Sequence, residues 1–253
     1  MDSVTSRDGT RIAFDRIGSG EPLVFVLGAF NDRSTGRGLA QVMADMFTVY
    51  SYDRRGRGDS GDVAPYAVDR EIEDLAAVLH HAGGAAHVFG FSSGAVLSLR
   101  AAAQGLRITR QALYEPPPTD PRMAAVHADK LEQLVAGGKR GDAVEYFQRD
   151  IVGIPAEVVA QMRQAPFRPA LDAVAHTLVY DMRILSEPPN ATTVLTPTLI
   201  ISGEDSMGSD LLSQAANRLA TAMPNAQHTT LNGLNHDLVP EALGPELKRF
   251  FGG

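Results

Sequence analysis

The 253-residue chain contains no cysteine. Disulfides, thiolate metal sites and a cysteine nucleophile are therefore excluded, and a reducing compartment fits. No stretch approaches the roughly 18 uninterrupted apolar residues of a membrane span. The opening residues, Met1-Asp2-Ser3-Val4-Thr5-Ser6-Arg7-Asp8-Gly9, lack the basic and then apolar segments of a secretory leader. A cytoplasmic location is expected. Positive charge is also short: 23 Lys and Arg against 30 Asp and Glu leave a net charge of −7, which repels phosphate backbones and anionic lipid. Neither nucleic acid nor a membrane is an expected partner. No His, Asp or Glu cluster has metal-ligand spacing, so no metal and no organic cofactor is expected. No internal repeat is visible.

What remains is an ordinary globular composition, 44% apolar and 21% charged, on a chain long enough for one α/β domain with an inserted subdomain. Short apolar runs rich in branched residues alternate with longer amphipathic stretches, the pattern of a mostly parallel sheet with helices on both faces. Val4 to Ser6, a turn at Asp8-Gly9, and Ile12 to Ile17 predict a hairpin of edge strands. Leu23 to Gly28 reads as the first buried strand, Thr48 to Asp53 as the next, and Val68 to Ala82 as a helix ended by Gly83-Gly84. His87 to Gly90 reads as a strand, about Gly94 to Gln104 as a helix, and Gln111 to Glu115 as a strand stopped by Pro116-Pro117-Pro118. Residues 118–190 carry only helical patterns and predict a helical cap inserted between the sixth and seventh strands. The sheet then resumes at Pro197 to Gly203, with a helix near Ser209 to Thr221, a strand near Gln227 to Leu231 and a closing helix from Pro240 to Phe251. The core domain is expected to comprise residues 1–117 and 191–253.

Gly90-Phe91-Ser92-Ser93-Gly94 matches G-x-S-x-G, and it sits between a predicted strand and a predicted helix. A serine held clear of a sheet needs a strained strand-to-helix turn, where side chains two residues away on either side would clash. A helix starting at once also aims the Ser93 N–H at a developing oxyanion. The bland alternative is an ordinary tight turn, with Ser93 in a backbone role.

The chain resembles the α/β-hydrolases along nearly its full length. Gly28 after the first buried strand, the run Asp53-Arg54-Arg55-Gly56-Arg57-Gly58-Asp59-Ser60, the elbow at Ser92, the helical insertion and a late histidine carry the resemblance. It is closest to a subgroup with Tyr-Glu-Pro-Pro after the sixth strand, here Tyr114-Glu115-Pro116-Pro117. The fold implied is an α/β-hydrolase fold with a mostly parallel eight-stranded sheet.

A serine nucleophile at neutral pH needs a base. His236, in the loop Asn232 to Asp237, occupies the site where the resemblance puts it. His80 and His81 close a helix, where its dipole favours them; His87, His127 and His228 are expected to be solvated. The acid is open between two residues. Most of the family carries it as G-x-x-D after the seventh strand, but here that stretch is Gly203-Glu204-Asp205-Ser206, with Asp205 one residue early. Glu115, at the strand end where other members of the fold place their acid, is preferred; Asp205 is the alternative. Without such roles Glu115 would be a surface carboxylate at a strand end, and Asp205 a capping or loop aspartate. By resemblance the second oxyanion donor is the Ala29 N–H. Asn31 or Arg33 is placed near the site as a further polar contact.

The expected reaction is acyl transfer to Ser92 and hydrolysis, cleaving an ester or lactone of a medium-sized, partly apolar small molecule. Expected substrate contacts are Phe30, Phe91, Met162, Phe167, His176 and Tyr180, with Met123 and Met182 also in the cap; packing within the cap is the alternative for the cap residues, His176 included. C–C, amide or thioester hydrolysis on the same site, and ligand binding without catalysis, are the alternatives. Epoxide hydrolysis and dehalogenation in this fold use an aspartate nucleophile, which Ser92 argues against. A monomer or homodimer is expected.

Overall fold

The computed structural model describes residues 1–118, 120–206 and 209–253. Its strands are β1 (Asp2–Thr5), β2 (Arg11–Ile17), β3 (Glu21–Val26), β4 (Phe47–Tyr52), β5 (Ala86–Phe91), β6 (Ile108–Tyr114), β7 (Thr198–Gly203) and β8 (Ala226–Leu231). They form one sheet in the order β1-β2-β4-β3-β5-β6-β7-β8. Pairing is antiparallel for β1 with β2 and β2 with β4, and parallel from there to β8. The expectation of two edge strands holds for β1 alone. β2 is enclosed because Ile12 and Phe14 are fully buried and its other margin is taken by β4.

Alternation along the parallel strands explains why they read as continuous apolar runs: successive side chains enter opposite layers, and both layers are covered. Val24 and Val26 pack with Ile72 and Leu75 of α2 (Val68–His81) and with Val96 and Leu97 of α3 (Ser93–Ala103). Leu23 and Phe25 pack instead with Leu39 and Met43 of α1 (Arg37–Met43) and with Leu243 and Leu247 of α10 (Pro240–Gly252). Ile200 of β7 and Leu113 of β6 meet Leu99 of α3 and Ala216 of α9 (Ser209–Ala222). The sequence reading overlooked α1, which spans two turns, has Gly36 before it and Gly38 within its first turn, and shows no long period.

Between β6 and β7 the described chain is helical: α4 (Pro121–Ala136), α5 (Arg140–Tyr146), α6 (Ala156–Met162), α7 (Arg168–Ala173) and α8 (Thr177–Ser186). Pro121 opens α4, and the Asp120 side chain accepts from the Arg122 and Met123 N–H groups, so the insertion restarts with a strong cap. Met182 on α8 is buried, whereas Met123 on α4 is exposed.

His87, expected at the surface, is buried. It sits 3.1 Å from Glu21 and 2.8 Å from Thr109, and its ring stacks on Phe251. Burial pushes its imidazole below the ordinary value against the pull of Glu21. His127 and His228 are likewise engaged, with Tyr146 at 2.7 Å, and with Ser202 and Asn217 at 2.9 Å.

Candidate active site

The carboxyl ends of adjacent parallel strands are where ligands bind in open α/β sheets. Here the ends of β3, β5 and β6 carry Phe30, Ser92 and Glu115, the three non-glycine residues with positive φ among the described residues. Ser92 has φ 54° and ψ −126° between β5 and α3, a conformation that persists only where surroundings enforce it. Those surroundings are tight. A Cβ on Gly90 would meet the Ala95 Cα at 2.7 Å, one on Gly28 would meet the Ser92 Cβ at 2.8 Å, and one on Gly94 would overlap the Val26 carbonyl.

His236 Nε2 lies 3.2 Å from Ser92 Oγ. On its other side, Nδ1 is hydrogen-bonded to Glu115 Oε2. A carboxylate accepts only, so Nδ1 donates and Nε2 presents its lone pair to the serine hydroxyl. Glu115 is 1% exposed, and its Oε1 accepts from the Gly203 N–H at 2.9 Å and from the Ser206 hydroxyl. Ser206, which stands where most of the family has its aspartate, thus holds the glutamate that meets the histidine. Asp205 is exposed, and its N–H donates to the Leu234 carbonyl at 3.0 Å.

The histidine loop is fastened from below. Tyr114, next to Glu115, donates its hydroxyl to the Asn235 carbonyl. Burial first, and then the nearby Glu115 and Asp237 carboxylates, push the Tyr114 phenol well above its ordinary value, which keeps it a neutral donor. Phe91 packs under the His236 ring, with centroids 4.8 Å apart.

Ser93 is the first residue of α3, so its N–H has no intrahelical partner. Ala29 follows Gly28, whose carbonyl accepts from Arg57. Because a trans peptide points its C=O and N–H in opposite directions, pinning that carbonyl aims the Ala29 N–H away from Arg57. Arg57 also donates to Asp181 of α8 at 2.7 Å. Arg54 joins Asp181 at 2.8 Å and Glu71 of α2 through two bonds at 2.6 and 2.7 Å, and reaches the Leu27 carbonyl at 3.2 Å. The Ser93 hydroxyl completes the cluster, donating to Asp181 at 2.7 Å. Burial would raise the Asp181 carboxyl, but Arg57 and Arg54, with the Ser93 hydroxyl, hold it below its ordinary value.

A cleft of about 520 Å³ opens over Ser92 and His236. Ala29, Phe30, Phe91, Met162 and Phe167 line it, as do Phe147, Gln148, Ile154 and Leu238, which the sequence reading did not single out. Two expected contacts lie elsewhere. His176 and Tyr180, one helical turn apart, face a separate groove beside Tyr66. Tyr180 stacks on Tyr66 at 3.8 Å and donates to Asp62 at 2.8 Å, and His176 lies 3.4 Å from Asp62. Arg33 is also drawn away, paired with Asp53, Asp59 and Asp15, while Asn31 stays at the cleft and donates to the Ala29 carbonyl at 2.8 Å. Arg54, Arg57 and Asp181 were missed as supports. The run Asp53 to Ser60 carried a signal for the two arginines, whereas Asp181 is a lone acid in a helix whose arginine partners are more than a hundred residues away.

The chain belongs to the alpha/beta hydrolase family, whose family model matches residues 9–243. It is 48% identical to an alpha/beta hydrolase from Sphaerobacter thermophilus, with a TM-score of 0.89, covering 99% of this chain and 100% of that one. Over 153 residues it is 31% identical to N-formylmaleamate deformylase of Pseudomonas putida, a match covering 56% of this chain and 57% of the deformylase. The chain thus spans little more than half the length of that curated relative. The enol-lactonase of Burkholderia xenovorans is 20% identical with a TM-score of 0.75, covering the whole of both chains, a likeness of fold.

Replacing Asp181 by Asn leaves Arg54 and Arg57 buried without their shared counter-charge, and should cost about 3–5 kcal/mol in urea unfolding. A carboxyl held low in the folded state stabilises above its ordinary pKa and loses that contribution as pH falls through the lowered value. The gap between wild type and Asp181→Asn should therefore be flat near neutrality and narrow only below about pH 4. A gap that narrows on alkalinisation would contradict this.

Proposed function

We propose that this hydrolase uses Ser92 as nucleophile, cleaving an ester or lactone of a medium-sized, partly apolar small molecule. The observation that carries the reading is the unbroken path from the buried Glu115 carboxylate through the His236 ring to the Ser92 hydroxyl. His236 removes the hydroxyl proton as Ser92 Oγ attacks the carbonyl carbon. The tetrahedral oxyanion takes hydrogen bonds from the Ala29 and Ser93 N–H groups. His236 then gives its proton to the leaving alcohol, and the acyl-enzyme is hydrolysed by water that His236 deprotonates. Glu115 keeps the proton on Nδ1 and stabilises the imidazolium. Phe30, Phe91, Met162 and Phe167 supply apolar walls that suit a partly apolar substrate, under a cap formed by residues 118–190. The EC 3.1 class of carboxylic ester hydrolases follows from this reading.

Amide hydrolysis is a second reading, favoured by the partial match to N-formylmaleamate deformylase. The same oxyanion donors would serve it, and His236 would protonate a leaving nitrogen.

Ser92→Ala and His236→Ala should each lower kcat on short p-nitrophenyl esters by about 10⁴-fold or more, with the circular dichroism spectrum unchanged. A fluorophosphonate probe should label the wild type at Ser92 and neither variant. Retained turnover in either variant would sink the reading. Glu115→Gln should cost about 10⁴-fold through loss of the correct histidine tautomer, and Asp205→Asn less than tenfold. The reverse order would move the acid to Asp205.

A further inference from the structure

Gln148 stands in the cleft without a part in the proton path. It is 4% exposed, and it lines the cleft with Phe147, Val152, Ile154 and Met162, together with Ser92 and Phe30. Its Oε1 is buried and has no hydrogen-bond partner among the described residues; of the residues carrying such an atom, Gln148 is the one that lines this cleft. Asn31, the other amide at the cleft, is already engaged with the Ala29 carbonyl.

The backbone presents Gln148 there by a specific device. The Val152 N–H donates to the Phe147 carbonyl at 3.0 Å and the Ile154 N–H to the Gln148 carbonyl at 2.9 Å, five and six residues back instead of the four of an α-helix. Widened turns of this kind are frequent at functional sites. This one turns both Phe147 and Gln148 toward the cleft, although they are neighbours in sequence. The main chain of Gln148 makes the turn's hydrogen bond, and its carboxamide adds nothing to the turn. An apolar residue would fill the same wall without leaving a buried acceptor unpaired, a condition native structures avoid.

We infer that Gln148 is a specificity residue whose carboxamide turns its unpaired Oε1 to the bound substrate and accepts a hydrogen bond from an O–H or N–H group of it. The substrate class is then an ester or amide bearing a hydroxyl or N–H donor away from the scissile bond, preferred to its purely apolar isostere. The inference rests on Ser92 being the nucleophile. A site built to pair with a donor rejects the analogue that lacks it, because its own polar group is then left unpaired.

The test compares, over a range of chain lengths, methyl esters of linear acids with those of matched ω-hydroxy acids, and n-alkyl acetates with matched diol monoacetates. Acid release is followed in a pH-stat. At one chain length the hydroxyl ester should exceed its methyl isostere by about ten- to a hundredfold in kcat/KM. In Gln148→Leu that ratio should fall to near one, with Tm unchanged or a few degrees higher. A ratio near one across the wild-type panel, or one that survives in Gln148→Leu, overturns the inference. So does a variant in which both esters fall together while Tm drops, the signature of a structural glutamine. Fluorophosphonate labelling separates the two levels: labelled Ser92 with no hydroxyl preference removes only the role of Gln148, while unlabelled Ser92 removes the serine reading and this inference with it.

Discussion

A buried carboxylate is expensive unless donors surround it, and Glu115 meets that requirement with three donors from separate stretches of chain. The Gly203 N–H comes from the end of β7, the Ser206 hydroxyl from the turn after it, and the His236 ring from the loop beyond β8. None of these stretches adjoins Glu115 in sequence, so its desolvation is offset only when β6, β7 and the late loop assemble together. Tyr114, one residue earlier, fixes the same loop through the Asn235 carbonyl. Two consecutive side chains at one strand end thus hold the backbone and the ring of the histidine segment.

Holding the parts in this way keeps strained backbone in place. Phe30, Ser92 and Glu115 follow three neighbouring strands and share left-handed φ values of 62°, 54° and 48°, conformations costing of order 1–3 kcal/mol each for non-glycine residues. At Phe30 and Ser92 the bend lies in the cleft wall, and at Glu115 it lies beneath His236. The neighbouring glycines belong to the same constraint: Gly28 must pass the Ser92 side chain, and Gly94 must pass the Val26 carbonyl, without a Cβ. The elbow and the loop after β3 therefore fit each other as a pair, and enlarging either one displaces the other.

Much of this was legible in the sequence because it is local. The pentapeptide around Ser92 contains its own steric explanation, and the apolar runs around Val24 and Ile200 announce strands covered on both faces. Ser206 in the expected acid position was itself a signal, since a hydroxyl there suits a carboxylate arriving from elsewhere. What could not be read depends on separation in the chain or on helix rotation. His176 and Tyr180 carry the chemistry of a binding site, yet α8 turns them toward Asp62 and Tyr66. His87 looked like a surface residue at a strand start until the closing helix laid Phe251 across it. Gln148 reaches the cleft through a turn whose hydrogen bonds skip five and six residues, a register that an α-helical period does not reveal.

The remaining physical link is between the helical insertion and the proposed oxyanion loop. Asp181 is on α8, yet its partners are Arg54 and Arg57, which hold the Leu27 and Gly28 carbonyls, and the Ser93 hydroxyl at the start of α3. Two buried guanidiniums need counter-charge, and Glu71 satisfies only Arg54. With α8 undocked, Arg57 would lose its carboxylate, and its grip on the Gly28 carbonyl would have to compete with water. Orientation of the Ala29 N–H consequently depends on a residue contributed by the insertion. The insertion supplies more than a wall for the cleft: the same helix that closes the core over α2 and α3 also completes the electrostatics beneath the proposed oxyanion site.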